Sequence, residues 1–152
     1  LRNVKKSDKL LLLDWANDPD VRKWSFNSKK INIVEHTKWF NDKIEDKNVK
    51  MWILEYDCRS AGLIRLEKTN GNAILNYLIC SAERGKGLAS PMLKMGLERI
   101  IVCWKDIQVI AYTRLKNYAS IRSLENAGFF LKFSKNNKNC YIYSKGENNE
   151  NR

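Results

Sequence analysis

The chain has 152 residues, with 28 Lys and Arg against 17 Asp and Glu, a formal net charge of +11 and 43% hydrophobic residues. That length supports one domain with a proper core, and no apolar run reaches membrane-spanning length. The basic residues are dispersed rather than blocked, which argues against nucleic acid and leaves an anionic cofactor, an acidic substrate or a solvated lysine surface.

Leu1 to Val4 fits a short strand. Ser7 is a plausible N-cap for a helix whose apolar face runs from Leu10 to Trp15. Asn17-Asp18-Pro19-Asp20 stops it. Val21 to Trp24 adds at most a turn, and Ser25 to Lys30 reads as loop. Asn32 caps the next helix, with Glu35 as its capping-box partner, and Asp46 to Asn48 ends it. Strands follow at Lys50 to Tyr56 and Ala61 to Lys68. Asn70-Gly71-Asn72 signals a hairpin. Ala73 to Cys80 is nearly apolar on both faces, as a central strand is.

Then comes Glu83-Arg84-Gly85-Lys86-Gly87-Leu88-Ala89-Ser90, between that strand and a helical pattern ending at Trp104. Glycines let successive N–H groups point into one concavity, and a helix N-terminus adds partial positive charge. This is a phosphate cradle, with Arg84 and Lys86 adding formal charge. Pro91 is harmless only in the first turn, so the helix starts near Gly87. Ile107 to Thr113 is a further strand, Asn117 to Ala127 a helix closed by Gly128, and Phe129 to Ser134 with Asn139 to Ser144 a closing hairpin. The expected fold is α/β (α+β): a mixed, mostly antiparallel sheet of about seven strands with four helices on both faces. Residues 1–145 form one domain, and 146–152 a frayed tail.

Cys58, Cys80, Cys103 and Cys140 match no metal or redox spacing, and with one His there is little basis for a zinc site. Cys80 and Cys103 lie in apolar patterns and are expected to be buried thiols, which suits a reducing cytoplasm.

The chain resembles the GCN5-related N-acetyltransferase (GNAT) superfamily. Arg84-Gly85-Lys86-Gly87-Leu88-Ala89 fits the acetyl-CoA signature Q/R-x-x-G-x-G/A. Asn117-Tyr118-Ala119-Ser120 through Leu124-Glu125-Asn126-Ala127-Gly128-Phe129 looks like the second cofactor helix. A finer resemblance lies in Trp15-Ala16-Asn17-Asp18-Pro19, Val21-Arg22, Ser25-Phe26 and Glu35-His36-Thr37-Lys38-Trp39-Phe40. These are similar to acetyltransferases of bacterial surface-sugar biosynthesis of the pseudaminic acid type, whose acceptors are nucleotide-linked amino sugars. Such domains occur fused to a sugar-nucleotide hydrolase, so the chain can be one domain of a longer protein. A homodimer is compatible with the resemblance, and no membrane partner is expected.

The resemblance implies direct acetyl transfer from acetyl-CoA to an amine, with no metal. The backbone of Arg84 to Ala89, with Ser90, would hold the pyrophosphate. Asn117 and Ser120 would meet the pantetheine arm, although helix capping explains Asn117 equally well. A backbone N–H near Leu78 or Ile79 would face the developing oxyanion, the side chains themselves being core. The usual acid, a Tyr seven residues after the motif Asn, is replaced by Leu124. The usual base position falls on Ala73, Ile74 and Leu75. Proton transfer is left to water chains through Asn76, Tyr77 or Ser120, or to His36, Glu67 or Glu35. Arg22 can pair with a sugar-nucleotide phosphate or be a solvated helix-end residue. Trp24 and Trp39 can wall a ring-binding cleft, and His36 can serve the acceptor or pack structurally. The expected activity is acetyl-CoA-dependent N-acetylation of a nucleotide-linked amino sugar. The rivals are N-terminal protein acetylation and a non-catalytic acyl-CoA-binding domain.

Overall fold

The computed structural model describes residues 1–144. The expected tail lies outside the described residues. The chain opens with β1 (Arg2–Asn3), then α1 (Lys9–Ala16), α2 (Pro19–Trp24) and α3 (Ile33–Glu45). The antiparallel run β2 (Val49–Tyr56), β3 (Arg59–Thr69) and β4 (Asn72–Ile79) follows. α4 (Ala89–Cys103), β5 (Gln108–Arg114) and α5 (Tyr118–Asn126) lead to the closing hairpin of β6 (Phe130–Lys135) and β7 (Lys138–Tyr143). The strands form one sheet in the order β1-β2-β3-β4-β5-β7-β6, antiparallel everywhere except between β4 and β5.

Strand alternation sorts the side chains into two cores. On one face Trp52, Ile64, Leu66, Ala73, Leu75, Val109, Ala111 and Tyr141 meet Met92, Leu93, Leu97 and Ile100 of α4 and Leu124 of α5. On the other, Met51, Ile53, Leu63 and Cys80 meet Leu12 and Trp15 of α1 and Phe40 of α3. β4 supplies both cores, which is why its sequence is apolar on both sides. A Cβ at Gly96 would stand 2.2 Å from Ile64 Cδ1, so this glycine lets α4 close onto β3.

Among the described residues five α-helices are present where four were expected. The additional one is α2: Pro19 fits its first turn, and the Asp18 carboxylate accepts the N–H groups of Asp20 (3.0 Å) and Val21 (3.3 Å). α4 begins at Ala89 rather than near Gly87, because Gly87 has φ +73° and cannot join a right-handed helix. Cys80 is buried as expected, but Cys103 is exposed, since the buried stripe of α4 ends at Ile100. Among the described residues no helix is long and apolar enough to cross a membrane.

Candidate active site

β4 and β5 pair only from Asn72 opposite Gln108 to Leu75 opposite Ala111. Beyond that, β4 runs on to Ile79 and β5 to Arg114 without pairing, so the sheet splits into a V. β4 keeps its full register with β3. The Cys80 N–H donates to the Ala61 carbonyl at 2.8 Å. The two-residue alternation of an antiparallel ladder therefore turns the N–H groups of Leu78 and Asn76 to β3, and those of Ile79 and Tyr77 into the split.

The glycine loop leads from the β4 arm into α4. Gly85 and Gly87 have φ +77° and +73°, with open space around each α-carbon. The N-cap of α4, Leu88, makes no side-chain cap. Among the described residues no acceptor takes the N–H groups of Gly87, Leu88, Ala89 or Ser90. These donors and the positive end of a 15-residue helix form an anion seat. The loop's two cations are turned away from it. Lys86 pairs with Glu83, whose acidity this ammonium increases. Arg84 donates from Nη2 to Asp18 (2.8 Å), from Nη1 to Asp20 (3.2 Å) and from Nε to the Ile79 carbonyl (3.1 Å). The seat is thus made of backbone.

Arg84 is one end of a bridge across the V. It grips the N-cap of α2 from the β4 arm. At the other end of α2 the Ser25 carbonyl accepts two N–H bonds from Arg114, the last residue of β5, at 2.8 and 3.2 Å. Phe26 lies 5.7 Å from the Arg114 guanidinium. A six-residue helix, about 9 Å long at 1.5 Å per residue, spans the mouth from arm to arm. The loop behind it is held by Asn17 and by Arg22, the residue expected to pair with an acceptor phosphate. Asn17 makes paired 2.8 Å bonds with the N–H and C=O of Ile31. Arg22 donates to the carbonyls of Ala16, Asn27 and Lys29 and to Ser25 Oγ. Arg22 is therefore neither solvated nor available to a phosphate; it shapes the wall.

Inside the V the Tyr77 hydroxyl lies 2.7 Å from Ser120 Oγ, which joins β4 to α5. Burial pushes this phenol above its ordinary range, against the pull of the Ser120 and Ser123 hydroxyls. Ser90 Oγ donates to the Ser123 carbonyl at 3.3 Å, tying the first turn of α4 to the same helix. Asn117 caps α5 through Oδ1 on the Ser120 N–H (3.3 Å), with Nδ2 unpaired among the described residues. Leu124 is fully buried beneath them.

Other candidates stand apart. His36 is 3% exposed, and its Nε2–H donates to the Lys9 carbonyl at 2.7 Å, between the rings of Trp39 and Phe40. It ties α3 to α1. Replacing it by Ala removes that bond at a cost of about 1–3 kcal/mol. A lowered Tm with an unchanged pH–rate profile is the expected result. Glu67 pairs with Lys43 and lies 2.9 Å from Arg65 Nε. It stands opposite Ile74, before the sheet splits, and shares with Asn76 a cleft of about 430 Å³ outside the V. Trp39 covers the half-buried Arg65 guanidinium at 4.9 Å, and Trp24 carries Lys23. Glu35 is exposed and provides α3 with a backbone donor for its Asn32 cap.

Sequence reading did not find the Arg84–Asp18 and Arg114–Ser25 grips. Their separations of 66 and 89 residues leave no local signal.

The sequence profile of the acetyltransferase (GNAT) domain matches residues 1–130. A search of curated protein sequences returned no match. Among solved structures, a spermidine N-acetyltransferase from Vibrio cholerae, in complex with CoA and spermine, superposes with a TM-score of 0.80 at 15% identity, over 93% of this chain and 90% of that one. A domain from Methanocaldococcus jannaschii gives 0.81 at 22% identity, over 95% and 96%. The aminoglycoside acetyltransferase AAC(6')-Ib with coenzyme A gives 0.75 at 15% identity, over 95% and 93%.

Proposed function

The chain belongs to the acetyltransferase (GNAT) domain family, and from that premise we propose that it acetylates the amine of a nucleotide-linked amino sugar. The coarse chemistry is that of an acetyl-CoA-dependent N-acetyltransferase of GNAT type. The residues present fit that donor. Unpaired N–H groups from Gly87 to Ser90 suit a pyrophosphate, and the V leaves room for an arm along β4, with Asn117 Nδ2 beside it. Acetyl-CoA supplies the activated thioester.

The chain's own groups then divide the work. The N–H groups of Ile79 and Tyr77 point into the split, where they stabilise negative charge developing on the carbonyl oxygen. The Tyr77 hydroxyl, aimed by Ser120, protonates the leaving sulfur. Burial keeps that phenol protonated at neutral pH, so it serves as an acid and not as a base.

One observation carries the acceptor class. Leu124 fills the usual acid position, Ala73, Ile74 and Leu75 are apolar, His36 is buried and Glu67 is paired. A sugar amine flanked by electron-withdrawing oxygens is less basic than a lysine, so a larger fraction of it is neutral at pH 7. Such an amine needs little help in losing its proton. Spermidine and aminoglycosides, acceptors of the structural neighbours, are polycations. Strands β5, β6 and β7 carry Arg114, Lys132, Lys135 and Lys138 and no carboxylate, which disfavours polycations.

The test is CoA release from acetyl-CoA with UDP-linked amino sugars, N-terminal peptides and polyamines. Turnover with the sugars alone is expected. Turnover with peptides alone overturns the acceptor class, and thiol release without any acceptor product overturns the activity.

A further inference from the structure

The sheet carries a second concentration of positive charge, on the face opposite α4 and α5. Cross-strand register places Arg114 directly opposite Lys138, and Lys138 directly opposite Lys135. Directly opposed residues share a face, so three cations lie in one row across β5, β7 and β6. Like charges so placed repel, and among the described residues none of the three is in an ion pair with a carboxylate. The row is shaped by its surroundings. Arg114 is fixed by Ser25, with Nη1 left over among the described residues, and Lys138 Nζ lies 4.5 Å from the Tyr112 ring centre. Phe26 is 55% exposed beside Arg114 and offers a flat apolar surface.

The row begins at the tip of the β5 arm, where α2 is gripped. The donor's anion seat lies at the N-terminus of α4, which packs on the other face. The basic row and the N–H groups at the start of α4 therefore stand apart, on opposite faces of the sheet. A donor seated at α4 leaves the row free to meet an anion on the acceptor.

We propose that Arg114, Lys138 and Lys135 form a subsite for the phosphate groups of the acceptor, with Phe26 against its base or sugar ring. The enzyme then selects amines carried on a phosphorylated, nucleotide-type scaffold over the same amines on a bare sugar. This rests on the amino-sugar reading for its physiological ligand, but the subsite can be tested without turnover.

Full-length protein saturated with CoA is titrated with UDP and with inorganic pyrophosphate by calorimetry. Both are expected to bind. Lys138→Ala and Lys135→Ala are each expected to weaken UDP binding about tenfold, the size of one charged hydrogen bond, and Lys138→Arg to restore it. In turnover, the same substitutions raise KM for the nucleotide-linked acceptor and not KM for acetyl-CoA. No binding by the CoA-saturated protein, or equal binding in wild type and Lys138→Ala, overturns the subsite whatever the acceptor panel shows. Binding that depends on Lys138, with no amino sugar turned over, leaves the subsite standing and defeats the amino-sugar reading instead.

Discussion

Tyr77→Phe is expected to lower kcat about 100-fold and to leave the KM of each substrate within about twofold. The substitution deletes one oxygen. It leaves the ring packed beside the α4 core and removes the hydroxyl that meets Ser120 Oγ at 2.7 Å. A loss confined to kcat marks a group that acts in the transition state and not in binding. The phenol's pKa is raised by burial, and an acid must be protonated to act. Activity governed by Tyr77 therefore persists through neutral pH and falls only as pH rises through that elevated value, on the alkaline side. Ser120→Ala should give a smaller loss, because it removes the aim and not the proton. A kcat within about threefold of wild type in Tyr77→Phe assigns the proton to solvent and ends this role for the residue.

Arg84→Ala is expected to lower kcat/KM by about 10- to 100-fold for both substrates, at about 1.5–3 kcal/mol for a charged hydrogen bond. Arg84 joins three things: the Ile79 carbonyl at the end of β4, the Asp18 cap of α2 and, through its own backbone, the donor loop. Losing it frees the β4 end of α2 and leaves the Ile79 carbonyl without its donor. Arg84→Lys should recover little, since one ammonium cannot reproduce a fork that serves acceptors on two sides. Asp18→Asn should shift the same constants in the same direction, less far. If folded Arg84→Ala keeps both kcat/KM values and only Tm falls, the bridge is a structural strap without influence on the site.

Local chemistry made most elements legible. Asn70-Gly71, Asn32, Asn117 and Gly128 each satisfy a conformation or an unpaired N–H within a few residues of themselves. The same is true of the glycine loop, whose need for positive φ is written in Gly85 and Gly87. Helix α2 was harder to read because it has only six residues, with Pro19 and Asp18 as its only start signals. Cys103 shows the limit of periodicity: it continues an apolar pattern past the point where the helix meets the sheet.

Residue type marked Arg84, Lys86, Arg22 and His36 as reactive or ligand-binding. The fold gave each of them an internal partner, and a charge already held by a carboxylate or a carbonyl is not offered to a ligand. Lys138 is the contrasting case: it looks like an ordinary strand-end cation until register sets it opposite Arg114, and among the described residues no carboxylate or carbonyl holds its ammonium.

By itself, then, the sequence determined the glycine loop, the strand and helix around it, and the apolar residues at Leu124 and at 73–75. These depend on backbone conformations and spacings that a short segment dictates alone. The tertiary structure decided that the loop presents unpaired backbone N–H groups while its side-chain charges are held internally, that Tyr77 meets Ser120 inside the V, and that α2 spans its mouth. Those outcomes depend on which distant groups come within hydrogen-bond reach once the sheet splits after Leu75. Only the pairing of whole strands sets that distance.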